Sequence, residues 1–252
     1  MKRVIPATIF IVLVVVAWEA IVRIFGVPEY LLPSPTVIGG RLAALGAQLC
    51  LHASYTALES ALGFALGSAF GCLLAVAFVH WRSLELGVYP YAIALKSVPI
   101  VAIAPLLVVW FGNGILPKVL VSAIISFFPV VVNTTKGLRS VDAEAFDLFD
   151  SMSASRSQVF WKLRVPSALP YLFAALKISS TLAVIGAIVG EFSGADKGLG
   201  FFILISSHRL ETVDMFVGIL ASSLLGILFF YGVALVERLV VPWERTSKMD
   251  EI

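Results

Sequence analysis

The residues best placed to do chemistry lie in the longest polar interruption of the chain, residues 136–170, and their types suit docking rather than catalysis. Residues 143–152 mix Glu144, Asp147 and Asp150 with Phe146, Leu148, Phe149 and Met152, at spacings that put apolar side chains on one helical stripe. Ser155, with Gln158 three residues on, fits a capping box in which each side chain satisfies the other's free backbone N–H. A second short helix over 156–165 offers Val159, Phe160, Trp161 and Leu163; Pro166 is expected to break it and Pro170 to begin the next long segment. Two short amphipathic helices joined by a tight turn make a surface that fits a groove on a partner. The alternative is an ordinary amphipathic connector lying on a membrane. No H-E-x-x-H, no nucleophile–base pair and no phosphate-cradling G-x-x-x-x-G-K-[ST] occurs. His52, His80 and His208 have no metal-ligand spacing and are expected at solvated interface positions.

Most of the chain must sit in lipid to position that loop. Of 252 residues, 60% are hydrophobic and only 13% are charged, and the mean hydropathy is +0.99. Soluble domains are about 45–50% apolar and about 25% charged, so this chain cannot clothe a soluble surface, and disorder is excluded by the same figures. A net charge of +2 with no basic block argues against nucleic-acid binding. If one helix joins Cys50 to Cys72, they lie about 33 Å apart along it, too far for a disulfide. The basic start and apolar run resemble a signal peptide, but the run is too long and lacks a small-residue cleavage site, so it reads as a retained first span.

Six stretches are long enough to cross a bilayer: about 4–25, 54–79, 84–111, 116–135, 171–190 and 213–236. The third carries Lys96, Pro99 and Pro105, whose freed carbonyls point to a protein-facing rather than lipid-facing segment. Residues 26–51 are expected as an outer loop with a short interfacial helix, and 192–214 as a second outer loop turning at Gly194, Gly198 and Gly200. Lys2, Arg3, Arg82, Lys136, Arg139, Arg156, Lys162, Arg164, Arg238, Arg245 and Lys248 fall on one side. Only Arg23, Arg41, Lys118, Lys197 and Arg209 fall on the other, which places both termini in the cytoplasm.

The loop resembles the EAA loop of ABC importer permeases: Glu-Ala-Ala, three residues, Gly, nine residues, then Ile-x-Leu-Pro. Asp147 stands at the Glu position, Ser153 at the Gly, Leu163 at the Ile, Val165 at the Leu and Pro166 at the Pro, with spacing kept throughout. Leu32-Pro33-Ser34-Pro35, Ser97-Val98-Pro99, Trp110-Phe111-Gly112, Phe127-Phe128-Pro129 and Gly190-Glu191-Phe192 resemble one branch, the nitrate, sulfonate and taurine permeases with the thiamine-precursor and riboflavin importers. The resemblance covers nearly the whole chain.

It implies an all-α polytopic membrane protein with the type I ABC importer permease fold, a single domain over 1–252 and a coupling loop over about 137–170. The implied partners are two ATP-binding subunits, a second permease copy (a homodimer, since six spans is half the usual complement), an extracytoplasmic solute-binding protein and inner-membrane lipid. The chain itself is then no enzyme and holds no cofactor, because ATP is used by the partner. Phe146, Phe149 and Phe160 are the expected apolar anchors, Asp147 the partner of a basic ATPase residue, and Glu144 a contributor to the same face. Ser155 and Arg156 open the second helix. Two departures are Ser153, where a left-handed backbone costs roughly 1 kcal/mol more than at Gly, and the shorter Asp147.

Lys96, Pro99 and Glu191 are candidate translocation-pathway residues. Against that stand a snorkelling Lys96 and an outer-surface salt bridge at Glu191. Lys177 is expected to snorkel, Glu19 to pair with Arg23, and Gly63 with Gly67 to permit close helix packing. Two other classes remain: a self-contained secondary transporter or channel, and an intramembrane enzyme. A secondary transporter normally carries its coupling acid within the spans, whereas here the acids are expected in loops and at ends.

Overall fold

Five of the six expected spans form as single helices. A computed structural model describes residues 4–243, apart from the side chains of Val4, Ile5, Ala7, Ala92, Ile93, Leu95 and Lys96. In order come α1 (Val4–Ile24), α2 (Pro35–Ala44), α3 (Gly46–His80), α4 (Arg82–Ser97), α5 (Ile100–Phe111), α6 (Ile115–Leu138), α7 (Ala143–Ser151), α8 (Arg156–Val159), a π-helical turn (Phe160–Arg164), α9 (Val165–Ser193), α10 (Leu199–His208) and α11 (Thr212–Val240). Four stretches are long and apolar enough to cross a membrane: α3, α6, the rod Arg156–Ser193 and α11. The 21 residues of α1 match the hydrocarbon thickness at 1.5 Å per residue.

Three expectations about where helices start and stop are corrected. The stretch 84–111 is two helices, α4 and α5, because Pro99 has no N–H to continue the ladder and instead caps α5 in an extended conformation. Residues 192–214 are no simple loop: Gly194 ends α9, Gly198 precedes α10, and Gly200 lies inside α10. Pro166 does not break the helix it follows. A π turn is wider than an α turn, which gives the proline ring room over the Lys162 carbonyl.

Two compact units form among the described residues, residues 4–56 with 196–224 and residues 57–195 with 225–243. In the first, Glu19 of α1 pairs with Arg23 as expected and also accepts from the Thr36 N–H (3.0 Å) and Oγ1 (2.8 Å), fixing the start of α2. Arg41 grips Asp214 through two bonds of 2.6 and 2.8 Å, which lift the guanidinium further above its ordinary range. His52 is buried rather than solvated: its Nδ1 accepts the Gly198 N–H at 3.1 Å, while Thr56 Oγ1 accepts that of Leu199 at 2.8 Å. These two acceptors satisfy amide groups at the start of α10 that the helix itself leaves unpaired.

The second unit is organised on α6, which packs against α3, α5 and α9. A Cβ at Gly63 would strike Ser122, and one at Gly67 would lie 2.5 Å from the Ala123 carbonyl oxygen, so the Gly-x-x-x-Gly of α3 is a close-packing face. On the opposite flank, a Cβ at Gly186 would lie 2.6 Å from the Ser122 Cα. Ser122 Oγ donates to the Ala183 carbonyl (2.9 Å) and Ser179 Oγ to the Ser126 carbonyl (2.8 Å), stitching α6 to α9 where backbones approach. Lys177 does not snorkel; its Nζ bonds both carboxylate oxygens of Glu237 on α11, at 2.7 and 2.9 Å.

Candidate functional site

The elbow formed by α7, α8 and the π turn is built by local rules. Asp142 precedes α7 in an extended conformation and Glu144 lies in its first turn, where acidic side chains suit the helix dipole. Ser153 closes the helix at φ 54°. Its N–H bonds the Asp150 carbonyl (2.8 Å) and the Ala154 N–H bonds that of Phe149 (3.0 Å), the pair of bonds that defines a Schellman C-cap. Ser therefore occupies the left-handed position that Gly fills without steric cost. The capping box forms: Ser155 N–H to Gln158 Oε1 at 2.7 Å, and Gln158 N–H to Ser155 Oγ at 3.3 Å.

From Arg156 the backbone runs without a break into α9, so the elbow and a membrane-crossing helix are one rod, Arg156–Ser193. The π turn is the one irregularity, with the Val165 N–H reaching the Phe160 carbonyl. Arg139, just past α6, fixes the loop's first residues through bonds to both oxygens of Glu85 (2.7 Å each), and Arg82 adds a third at 2.6 Å.

The structure redistributes the apolar roles. The Arg164 guanidinium covers the Phe146 ring at 5.3 Å, tying α7 to the π turn. Phe160 packs on His80 at the end of α3 (5.1 Å between ring centres) and on Trp161 (5.2 Å). Phe149, Leu163 and Pro166 are half-buried. The bare apolar side chains are Leu148 (58% exposed), Trp161 (65%) and Met152 (71%), with Asp147 and Arg156 exposed near them in sequence. Long aromatic residues drew attention in the sequence; which of them lie inward depends on the turn at Ser153 and on contacts with His80 and Arg164, neither of which periodicity reveals.

Pro99 is exposed at the break between α4 and α5, and the Lys96 side chain lies outside the described residues. Glu191 is not on the outer surface: it is 0% exposed and faces Glu59, itself 4% exposed. Glu59 was missed in the sequence because a lone acid in an apolar run reads as a tolerated exception. It corrects the expectation that acids are confined to loops and ends. The described residues hold no group of His, Cys, Asp or Glu able to bind a metal.

The fold is that of a multi-pass helical membrane protein, with an elbow continuous with one crossing helix and apolar at its tip. Residues 67–242 match the family model for the inner membrane component of binding-protein-dependent transport systems, and the chain belongs to that family. It is 39% identical to the formylaminopyrimidine transport permease protein ThiX of Halalkalibacterium halodurans, across 94% of this chain and 95% of that one. It is 36% identical to the riboflavin transport system permease protein RibX of Chloroflexus aurantiacus, across 95% and 89%. Among solved structures, the inward-facing MetNI methionine ABC transporter (CY5 native crystal form) superposes with a TM-score of 0.58 at 20% identity, over 74% of this chain and 91% of that one. At that identity the likeness shows the shared fold.

Proposed function

We propose that two copies of this chain pair to form the pathway of an ATP-driven importer, each inserting its elbow into a cleft of one ATP-binding subunit. Closure of the two ATPases pushes on the tip at Leu148, Met152 and Trp161, with Asp147 paired to a basic residue of the ATPase. Because Arg156–Ser193 is one rod, the push is delivered to a membrane-crossing helix, swinging the pair from inward- to outward-facing. The single observation that carries this reading is an apolar tip left bare on an otherwise tightly capped elbow. The chain works as one permease domain with both termini in the cytoplasm and uses no cofactor of its own. The break at Pro99, with Lys96 beside it, faces the solute pathway.

The solute arrives on an extracytoplasmic binding protein. Its chemical class is a heteroaromatic vitamin precursor, a pyrimidine or a flavin, supported by the names and identities of ThiX and RibX. A photo-crosslinking residue at Met152 is expected to join the chain to the ATP-binding subunit, and the same residue at Val109, exposed on α5 within the membrane-spanning part, is expected not to. No adduct from Met152 in the assembled transporter contradicts the docking. Thermal stabilisation of the companion binding protein by a formylated aminopyrimidine or by riboflavin, and not by taurine or nitrate, tests the solute class.

A further inference from the structure

The corner where α3 meets α4 is gripped by both ends of the elbow. At the entry, Arg139 follows the last residue of α6, and its guanidinium holds both carboxylate oxygens of Glu85 on α4 at 2.7 Å each. The same guanidinium donates to the Phe78 carbonyl near the end of α3 at 3.3 Å, and Arg82 adds a further bond to Glu85 at 2.6 Å. At the exit, the Phe160 ring packs on His80, the last residue of α3, at 5.1 Å. The Glu85 side chain is only 13% exposed. A two-pronged guanidinium grip on a shielded carboxylate fixes orientation as well as distance, which a solvated surface pair does not.

Helix α4 hangs from that corner. None of its residues with a described side chain is buried, and near its start it is fastened by the Glu85–Arg139 pair and by Tyr89, edge to face on buried Phe78 at 6.4 Å between ring centres. Helix α5 is set differently, with Ala104 and Leu107 buried against Val121 of α6. Pro99 stands between them, extended and without an N–H to join one helix to the other. The stretch 82–111 is therefore two rods meeting at Pro99, one seated in the bundle and one fastened to the root of the elbow. Few buried contacts on one rod and a break in the hydrogen-bond ladder are the marks of a hinge.

We propose that Glu85 is a positioning residue for transport: through Arg139 it makes α4 follow the elbow, so that closure of the ATPases turns α4 about Pro99 while it drives the rod Arg156–Ser193. This rests on the docking of the elbow proposed above. One push is then delivered at two places, α9 and the break beside Lys96.

Vesicles holding the assembled transporter, with the ATP-binding subunit and ATP inside and the loaded binding protein outside, give the solute taken up per ATP hydrolysed. Glu85→Gln keeps the size of the side chain and loses the ionic acceptor; it is expected to lower that ratio about tenfold, the worth of one charge-assisted bond. Crosslinking from Met152 to the ATP-binding subunit is expected to persist in the variant. Glu85→Gln combined with Arg139→Gln is expected to do no worse than either change alone, since the two act through each other. Arg139→Lys, which keeps the charge and loses the planar fork, reads the same ratio in a chain altered by a smaller change and is expected to fall in between. An unchanged ratio in Glu85→Gln or Arg139→Lys overturns the proposal, as do losses that add in the double variant. Loss of the Met152 adduct in Glu85→Gln means that the pair only shapes the elbow, and overturns it too. A failure of docking itself is distinguished by the unsubstituted chain, which then gives no Met152 adduct and removes both readings.

Discussion

The α3–α6–α9 bundle and the elbow of α7 and α8 belong to the same unit yet are built on opposite principles. In the bundle, Gly63, Gly67 and Gly186 bring backbones together, serine hydroxyls bond carbonyls across helices, and even the charged side chains are sealed inside. In the elbow, nearly every stabilising device is local, a capping box and a Schellman turn, and its apolar side chains at Leu148, Met152 and Trp161 are left bare. Where lipid surrounds a helix, apolar burial supplies little drive and close contact must replace it. Where a partner completes the surface, local caps hold the shape and the apolar area is kept for the partner.

That contrast can be broken first in the bundle. Gly67→Leu forces a side chain into the Ala123 carbonyl and is expected to destabilise by about 3 kcal/mol or more, read as lost yield and melting temperature of the solubilised transporter. The same change at Gly226, which meets nothing within 4 Å, is expected to be silent. At the elbow, Leu148→Asp with Met152→Asp is expected to leave insertion and melting temperature unchanged. It should weaken capture of the ATP-binding subunit by roughly thirtyfold, the equivalent of about 2 kcal/mol. A double variant that captures the ATPase normally breaks the comparison on the side of the elbow.

A smaller effect sharpens it. Lys177→Met leaves Glu237 half-buried without its ammonium partner and is expected to cost about 1.5 kcal/mol, recovered in part by Glu237→Gln in the same chain; thermal denaturation of the four species gives the coupling. Smallest of all, and opposite in sign, Ser153→Gly is expected to stabilise the elbow by about 1 kcal/mol, because glycine adopts φ 54° without a Cβ penalty. Slower hydrogen exchange at the Ala154 amide is the direct reading.

Much of this architecture was legible in the sequence wherever the controlling physics is local. Apolar length located the spans, the Ser155–Gln158 spacing located the cap, and the position of Ser153 in the loop pattern foretold a left-handed turn. What escaped depends on neighbours distant in the chain. Pro166 reads as a breaker until a π turn precedes it, and Lys177 reads as snorkelling until Glu237, sixty positions later, faces it. His52 reads as solvated until Gly198 donates to it. Glu59 carries no local signal at all, since its meaning lies in Glu191 and Lys118 on two other helices.

Transport by lipid vesicles carrying this chain tests the central claim most directly. With the ATP-binding subunit inside, the solute-loaded binding protein outside and ATP enclosed, the vesicles are expected to accumulate solute, and to stop when Leu148 and Met152 are both aspartate. Vesicles holding this chain alone are expected to accumulate none under any proton or sodium gradient; accumulation by the chain alone would contradict the account.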